Sequence, residues 1–258
     1  MAEIISILNR KGGVGKTTTT LNLGRALSLK KKKVLVIDND GQANLTLSIS
    51  GLSMQGKEDT LYDTYIHNKP LPIYEINEYF HAVPASAALD AVPTELGHHS
   101  GNIYRLKEAI DKVKSHYDFI LIDSPPSTGI LVYNAIAAST KYIITIKDAD
   151  AHSLAGAKNL ITLIHQELTL SGVTPKLLGM LITFYDSRRK IVSRMLEEEG
   201  KVLFDNMFFK TKITRLTALE EAASQGTDIF DWATNSESAN EYRNLAEEVL
   251  ALTEMSYV

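Results

Sequence analysis

The stretch Lys11-Gly12-Gly13-Val14-Gly15-Lys16-Thr17-Thr18 holds the residue types of a phosphate cradle. It closes as the pattern G-x-x-x-x-G-K-[ST] does, on Gly15-Lys16-Thr17, and it opens on Lys-Gly-Gly. Glycines there let backbone N–H groups turn inward around phosphate oxygens, and a following helix adds the partial positive charge of its N-terminus. Lys16 is placed to reach β- and γ-phosphates, and the Thr17 hydroxyl to ligate Mg²⁺. A second lysine, Lys11, sits five residues before Lys16. Two further places carry acids. Asp38-Asn39-Asp40-Gly41-Gln42 follows the apolar Val34-Leu35-Val36-Ile37, and Asp123 ends Tyr117-Asp118-Phe119-Ile120-Leu121-Ile122. Carboxylates at strand ends beside a phosphate loop suit Mg²⁺ and water chemistry. Asp is also a common turn residue, so each alone is weak evidence. With the glycine loop they reinforce one another.

These residues need elements to hold them. Glu3-Ile4-Ile5-Ser6-Ile7-Leu8 reads as a buried parallel strand ahead of the loop. Leu21, Leu23, Ala26 and Leu27 mark a helix from Thr17 to Leu29 behind it. Strand, glycine loop and helix are the context that makes such a loop credible. Apolar strands alternate with helical stretches along the rest of the chain. That argues for an α/β fold, doubly wound, with a mostly parallel sheet and helices on both faces. Further strands are expected at Phe80-His81-Ala82-Val83, at Tyr142-Ile143-Ile144-Thr145-Ile146 and, as the last parallel strand, at Leu177-Leu178-Gly179-Met180-Leu181-Ile182-Thr183. Helices are expected from Asn102 to Ser115, from Ser153 to about Leu170, and from Glu237 to Met255, where Tyr242, Leu245, Val249 and Leu252 face the core. A short helix is expected near Thr60-Leu61-Tyr62-Asp63.

At 258 residues, one large α/β domain over 1–258 is the natural expectation, and the 44% hydrophobic and 22% charged content is that of a soluble globular chain. The absence of cysteine excludes disulfides, thiolate-held iron–sulfur clusters and a cysteine nucleophile, and it suits a reducing compartment. A net charge of −4 confines any nucleic-acid contact to a local patch. No signal peptide and no apolar run of bilayer length is evident. The run Lys30 to Lys33 reads as a solvated helix C-terminus. His81, His98 and His99 lack metal-ligand spacing.

Asn9-Arg10-Lys11-Gly12-Gly13-Val14-Gly15-Lys16-Thr17-Thr18 resembles the deviant Walker A motif, N-x-K-G-G-V-G-K-T-T, of the ParA/MinD family of P-loop ATPases, with Arg10 where Gln is usual. Further resemblances cover nearly the whole chain: D-N-D-G-Q against D-x-D-P-Q, D-S-P-P-S against D-x-P-P-S, Tyr185-Asp186-Ser187-Arg188 against Y-D-x-R, and the run 213–229. The resemblance is to the ParA/Soj partition type, without the N-terminal helix-turn-helix domain of some plasmid members. It implies ATP and Mg²⁺ at the loop residues Lys11 to Thr18. Lys11 is expected to reach across a sandwich homodimer to the partner's ATP. Asp40 is expected to act on the catalytic water, and Thr17, Asp40 and Asp123 at the metal. Thr183 is a candidate contact for adenine. Gly41 in place of Pro leaves the Asp40 loop less rigid.

The same resemblance implies nonspecific binding of double-stranded DNA, a ParB-like centromere-binding partner that stimulates hydrolysis, weak turnover without it, and a cytoplasmic, nucleoid-associated protein. Arg188, Arg189, Lys190 and Arg194 place four positive charges in seven residues at a helix start, where they oppose the helix dipole. Either phosphate rewards them or they are a solvated face. Lys210, Lys212 and Arg215 form a second cluster. Thr214 and Leu216 replace the Pro and Asn that contact nucleotide in close relatives, and Ala218 replaces an Arg that contacts DNA in many. The alternative is a MinD-like regulator at a membrane. Against it, the polar face of the last helix carries Glu241, Glu247, Glu248 and Glu254 with Arg243 its one base, which anionic lipid repels.

Overall fold

The structure is a computed structural model and describes residues 2–50, 59–97, 100–148, 150, 153–169, 175–188, 198–200, 202 and 207–254. The strands are β1 (Glu3–Leu8), β2 (Val34–Asp38), β3 (Tyr74–Asn77), β4 (Phe80–Val83), β5 (Phe119–Asp123), β6 (Lys141–Lys147), β7 (Lys176–Tyr185) and β8 (Ile213–Thr214). The helices are α1 (Lys16–Leu29), α2 (Asn44–Ser50), α3 (Leu61–His67), α4 (Val92–Leu96), α5 (Arg105–Asp111), α6 (Ile130–Ala138), α7 (Ser153–Thr169), α8 (Thr217–Ser224), α9 (Ile229–Ala233) and α10 (Glu237–Glu254).

All eight strands join one sheet in the order β3-β4-β2-β5-β1-β6-β7-β8. Every described pairing is parallel except β3 with β4. β1, β2 and β5 are buried along their whole length, which is why they read as unbroken apolar runs. On one face Leu23, Ala26 and Leu27 of α1 and Tyr242, Leu245 and Val249 of α10 pack on Ile5, Ile7 and Val36. On the other, Leu61, Leu106 and Leu131 of α3, α5 and α6 pack on Ile4, Leu35 and Ile37. The sheet is therefore doubly wound, as the alternation of strands and helices implied.

Three expectations change in detail. The strand expected to be the last parallel one is followed by β8, which pairs with β7 through Thr183↔Ile213 and Tyr185↔Thr214. The helix expected over 102–115 is broken into a 3₁₀ turn at Ser100–Tyr104, α5, and a second 3₁₀ turn at Lys114–His116. The last helix is described to Glu254, and Met255 lies outside the described residues. At α3, Thr60 and Asp63 form a reciprocal capping box, so the Thr-x-x-Asp spacing sets where that helix begins.

Two contacts hold α1, and with it the glycine loop, in register. Asp228 caps α9 through the N–H groups of Phe230 and Asp231 and also accepts from Arg25 of α1 at 2.7 Å. Gly24 lets α1 lie hard against the sheet: a Cβ there would stand 2.9 Å from Val36 Cγ1 and 3.0 Å from Phe80. Gly24→Val should therefore cost about 3 kcal/mol by overpacking. Urea unfolding checks this, and an unchanged midpoint would show that α1 can stand off from β2 without penalty.

Candidate functional site

The glycine loop leaves β1 and becomes α1 through two left-handed residues, Gly13 at φ +66° and Gly15 at φ +80°. Any residue with a Cβ would be strained at both. Gly15 precedes the helix and its carbonyl accepts the N–H of Thr19 at 2.9 Å. A Cβ at Gly12 or Gly13 would meet nothing within 4 Å, so this side of the loop is open. It opens into a groove of about 480 Å³ lined also by Lys16, Thr17, Asp40 and Pro126.

The two acid-ended strands lie side by side, with Asp38 of β2 in register with Asp123 of β5. Both are 1% exposed. The Thr17 hydroxyl donates to Asp123 Oδ2 at 2.7 Å. The other oxygen, Oδ1, is buried and has no hydrogen-bond partner, and neither has the hydroxyl of Ser124 beside it. Burial pushes the Asp123 carboxyl up to about 8, the nearby Asp38 adds to this, and Thr17 and Lys16 pull against it. Burial likewise raises Asp38 to about 6, opposed by its bonds from Thr46. An orphaned carboxylate oxygen next to a threonine hydroxyl and an open cradle of amides is a donor set that fits Mg²⁺, which takes few protein ligands and keeps waters or phosphates. Among the described residues no group of three His, Cys, Asp or Glu forms a metal cage. His81 instead contacts the Tyr117 hydroxyl at 2.9 Å, and His98 and His99 lie outside the described residues.

Lys16 is 7% exposed, and its ammonium donates to the Lys11 carbonyl at 3.1 Å. Its pKa is lowered by burial, against the pull of Asp123 and Asp40. Asp40 faces the groove, and its Oδ1 accepts the Gln42 N–H at 3.0 Å. Asp38 staples the same loop from beneath, accepting the N–H and hydroxyl of Thr46 at 2.8 and 2.7 Å and the Asp40 N–H at 3.3 Å. The glycine at 41 answers a close approach: a Cβ there would lie 2.2 Å from Asp90 Oδ1. The Asp90 side chain would have to turn aside for a larger residue at 41. The looseness expected from Gly41 is countered by the bonds to Asp38 and Asp40.

A second cavity, of about 160 Å³, adjoins the loop at Gly15 and Thr18. Phe184, Leu216, Leu219 and Ala223 make it apolar, and Thr214 and Tyr242 line it too. Phe184 is held at φ +54°, a costly conformation for an aromatic residue and one that gathers at functional sites. Thr183 also lines this cavity, but its hydroxyl donates to the Val14 carbonyl at 3.0 Å, with the Ile146 carbonyl at 3.2 Å. Its polar atom is committed to holding the loop, and its methyl is what faces Gly15.

Lys11 points away from the cradle and pairs with Asp150 at 2.6 Å, with 61% of the lysine side chain exposed. Of the basic residues singled out in the sequence, Arg188 and Arg215 share one groove, joined there by Lys147. Arg188 is forked onto Asp186 at 2.9 Å, and Arg215 lies 3.7 Å from Glu220. Lys212 sits over the Tyr185 ring at 4.5 Å, and Lys210 is exposed. Arg189, Lys190 and Arg194 lie outside the described residues. Sequence reasoning missed Asp150, Lys147, Phe184 and Asp90. Asp38 had a visible signal, two apolar runs each ending in Asp.

A parallel sheet with a glycine loop between β1 and α1, and acids ending β2 and β5, defines an α/β P-loop NTPase. The family model described as "AAA domain" matches residues 2–171. The sporulation initiation inhibitor protein Soj of Bacillus subtilis is 35% identical over 254 residues, covering 97% of this chain and 99% of that protein. The chromosome-partitioning ATPase Soj of Thermus thermophilus is 35% identical over 250 residues, covering 96% and 95%. Among solved structures, the cobyrinic acid a,c-diamide synthase of Mycobacterium smegmatis with bound ADP and magnesium superposes with a TM-score of 0.81 at 26% identity, covering 97% of this chain and 94% of that one. The chain belongs to the Soj/ParA family of partition ATPases.

Asp123 carries a test of the site's electrostatics. Its folded pKa, about 8, lies above the ordinary 3.8. A raised acid stabilises the fold fully only below its unfolded pKa, and that contribution is lost as pH rises through the folded one. Asn at 123 does not titrate and can still accept from Thr17. Asp123→Asn should therefore raise the Tm of the nucleotide-free protein, with the gain growing from about pH 5 to about pH 8. A Tm difference that stays constant over this range would mean that Asp123 is ionised throughout.

Proposed function

We propose that this chain is a DNA-partition switch driven by ATP. It binds ATP with Mg²⁺, closes as a sandwich homodimer with Lys11 reaching the partner's nucleotide, and in that state binds double-stranded DNA nonspecifically. A ParB-like centromere-binding partner stimulates hydrolysis. The observation that carries the reading is the meeting of an open glycine cradle, Lys16 and Thr17 in one groove that Asp40 also lines, with Asp123 buried behind Thr17 and one of its oxygens orphaned. The protein is proposed to work as one ATPase domain over 1–258, supported by a single sheet running from residue 3 to residue 214.

The amides of Gly12, Gly13, Val14 and Gly15, with Thr18, would hold the phosphates, and Lys16 would swing from the Lys11 carbonyl to the β- and γ-oxygens. Thr17 and Asp123, and Asp40 from across the groove, would hold Mg²⁺, which supplies charge neutralisation at the phosphate oxygens. Asp123 would have to be ionised to hold it. The base goes to the apolar cavity of Phe184, Leu216 and Leu219. Asp40 orients the attacking water. Weak turnover by the isolated chain fits the present position of Lys11, which is paired within its own subunit.

Arg188 and Arg215, with Lys147 in the same groove, are the proposed centre of the DNA surface, extended by Lys210 and Lys212. Each arginine has an acid close by, so phosphate must compete for it. Such pairs are exposed and weak in water, so a polyanion competes readily for the arginines. Among the described residues no helix is long and apolar enough to cross a membrane. The protein is proposed to be cytoplasmic and nucleoid-associated.

Asp40→Ala should lower ATP turnover at least about a hundredfold while an ATP-bound dimer accumulates on size-exclusion chromatography. Normal turnover would move the water-orienting role to another residue. DNA titrations with ATP, ADP and no nucleotide at one fixed salt concentration test the switch, and tight binding only with ATP is expected. Arg188→Ala combined with Arg215→Ala should weaken DNA binding and reduce the salt slope by about two, leaving ATP-dependent dimerisation intact. Unchanged DNA affinity would make this groove a solvated surface.

A further inference from the structure

The segment that closes the apolar cavity is weakly built into the sheet. β8 is an edge strand of two residues, and its pairing with β7 shifts register between Thr183 and Tyr185. Its anchorage comes from α10. Glu241 accepts the Thr214 N–H at 3.1 Å and also the Thr214 hydroxyl. Seven residues further along the same helix, Glu248 accepts the N–H groups of Lys210 and Thr211 at 2.8 and 2.7 Å and the Thr211 hydroxyl as well. Seven residues are two helical turns, so the carboxylates stand about 10.5 Å apart along one face and grip the segment at both ends. Thr214 lines the cavity, while Lys210 and Thr211 do not. Tyr242, next to Glu241, supplies another part of the cavity wall from the same helix.

We propose that Glu241 is a positioning residue for the base of the nucleotide: by gripping Thr214 it fixes the cavity wall and sets how much the base adds to binding. This rests on the nucleotide reading above. A threonine suits the position because it brings two donors. A proline there, as in related chains, has no N–H to give. The acid on α10 and the residue on β8 therefore belong together in this chain. By linkage, filling the cavity also stabilises the docking of α10.

The test uses the full chain with Mg²⁺ and two ligands, ATP and inorganic tripolyphosphate, titrated calorimetrically. The wild-type protein should bind ATP more tightly, and that ratio measures the base. Glu241→Ala should weaken ATP binding about tenfold and leave tripolyphosphate unchanged. Glu241→Gln, which keeps the shape and one acceptor, should move the ratio the same way by less, and it serves if the alanine variant is unfolded. Thr214→Ser should behave as wild type. Glu248→Ala is the structural control: its Tm should fall, yet the ratio should hold. Glu241 variants that keep the ratio, or that lose both ligands equally, would overturn the inference. A wild-type protein that binds the two ligands alike would instead overturn the reading of the cavity as the base site.

Discussion

The buried charge at the ends of β2 and β5 is the constraint around which the structure is arranged. Asp38, Asp123 and Lys16 are each at most 7% exposed, and they lie where the sheet meets the glycine loop. Isolated charges in such a place are costly, and proteins answer by pairing them, bonding them or neutralising them. This chain bonds them and shifts them toward their neutral forms. Thr46 satisfies Asp38, Thr17 takes one oxygen of Asp123, and Lys16 rests on the Lys11 carbonyl. Burial moves both acids toward the protonated form and the lysine toward the neutral one. One oxygen of Asp123 is still left without a partner. The bonds at Thr17 and Lys16 are ones that a metal-bound phosphate would replace on the proposed reading, so the site is preorganised and poorly satisfied at once, as sites that bind charge must be.

Two departures from the family pattern make sense only with the bonds around them. Gly41 would read as a loss of rigidity if Asp38 did not hold the Asp40 N–H and Asp40 the Gln42 N–H. Thr214 would read as a lost contact if Glu241 did not take both its donors. For Thr214 the partner is remote in sequence, so a motif compared position by position registers the substitution without its compensation. Local consistency between such partners is what keeps a divergent sequence foldable.

That is also where the sequence stops being legible. The strands, the faces of α1 and α10 and the nearness of Lys16, Thr17 and Asp123 to one another follow from patterns that are local: unbroken apolar runs, helical spacing, glycines before a lysine. β8 could not be seen, because two residues held by an edge pairing carry no period of their own. The acids of α10 were visible as a polar face, but periodicity cannot say what a polar face touches. Glu241 and Glu248 turn out to hold backbone N–H groups, and Glu247 pairs with Lys30 at 2.9 Å. Much of the acidity that argued against a lipid-facing helix is thus spent within the fold. Tyr242, Leu245 and Val249, the apolar side of that helix, are committed to the core.

Lys11 shows how magnitudes decide the reading of a contact. Its pair with Asp150 is short, at 2.6 Å, and could be taken for a lock that holds the lysine back. The lysine is 61% exposed, however, and exposed pairs contribute about 0–1 kcal/mol. A nucleotide's phosphates offer several negative charges, a stronger attraction than one exposed carboxylate can hold against. The pair therefore parks the side chain without holding it. A resting position that is cheap to leave suits the partner-reaching role proposed for Lys11, because little of the binding energy would be consumed in moving it.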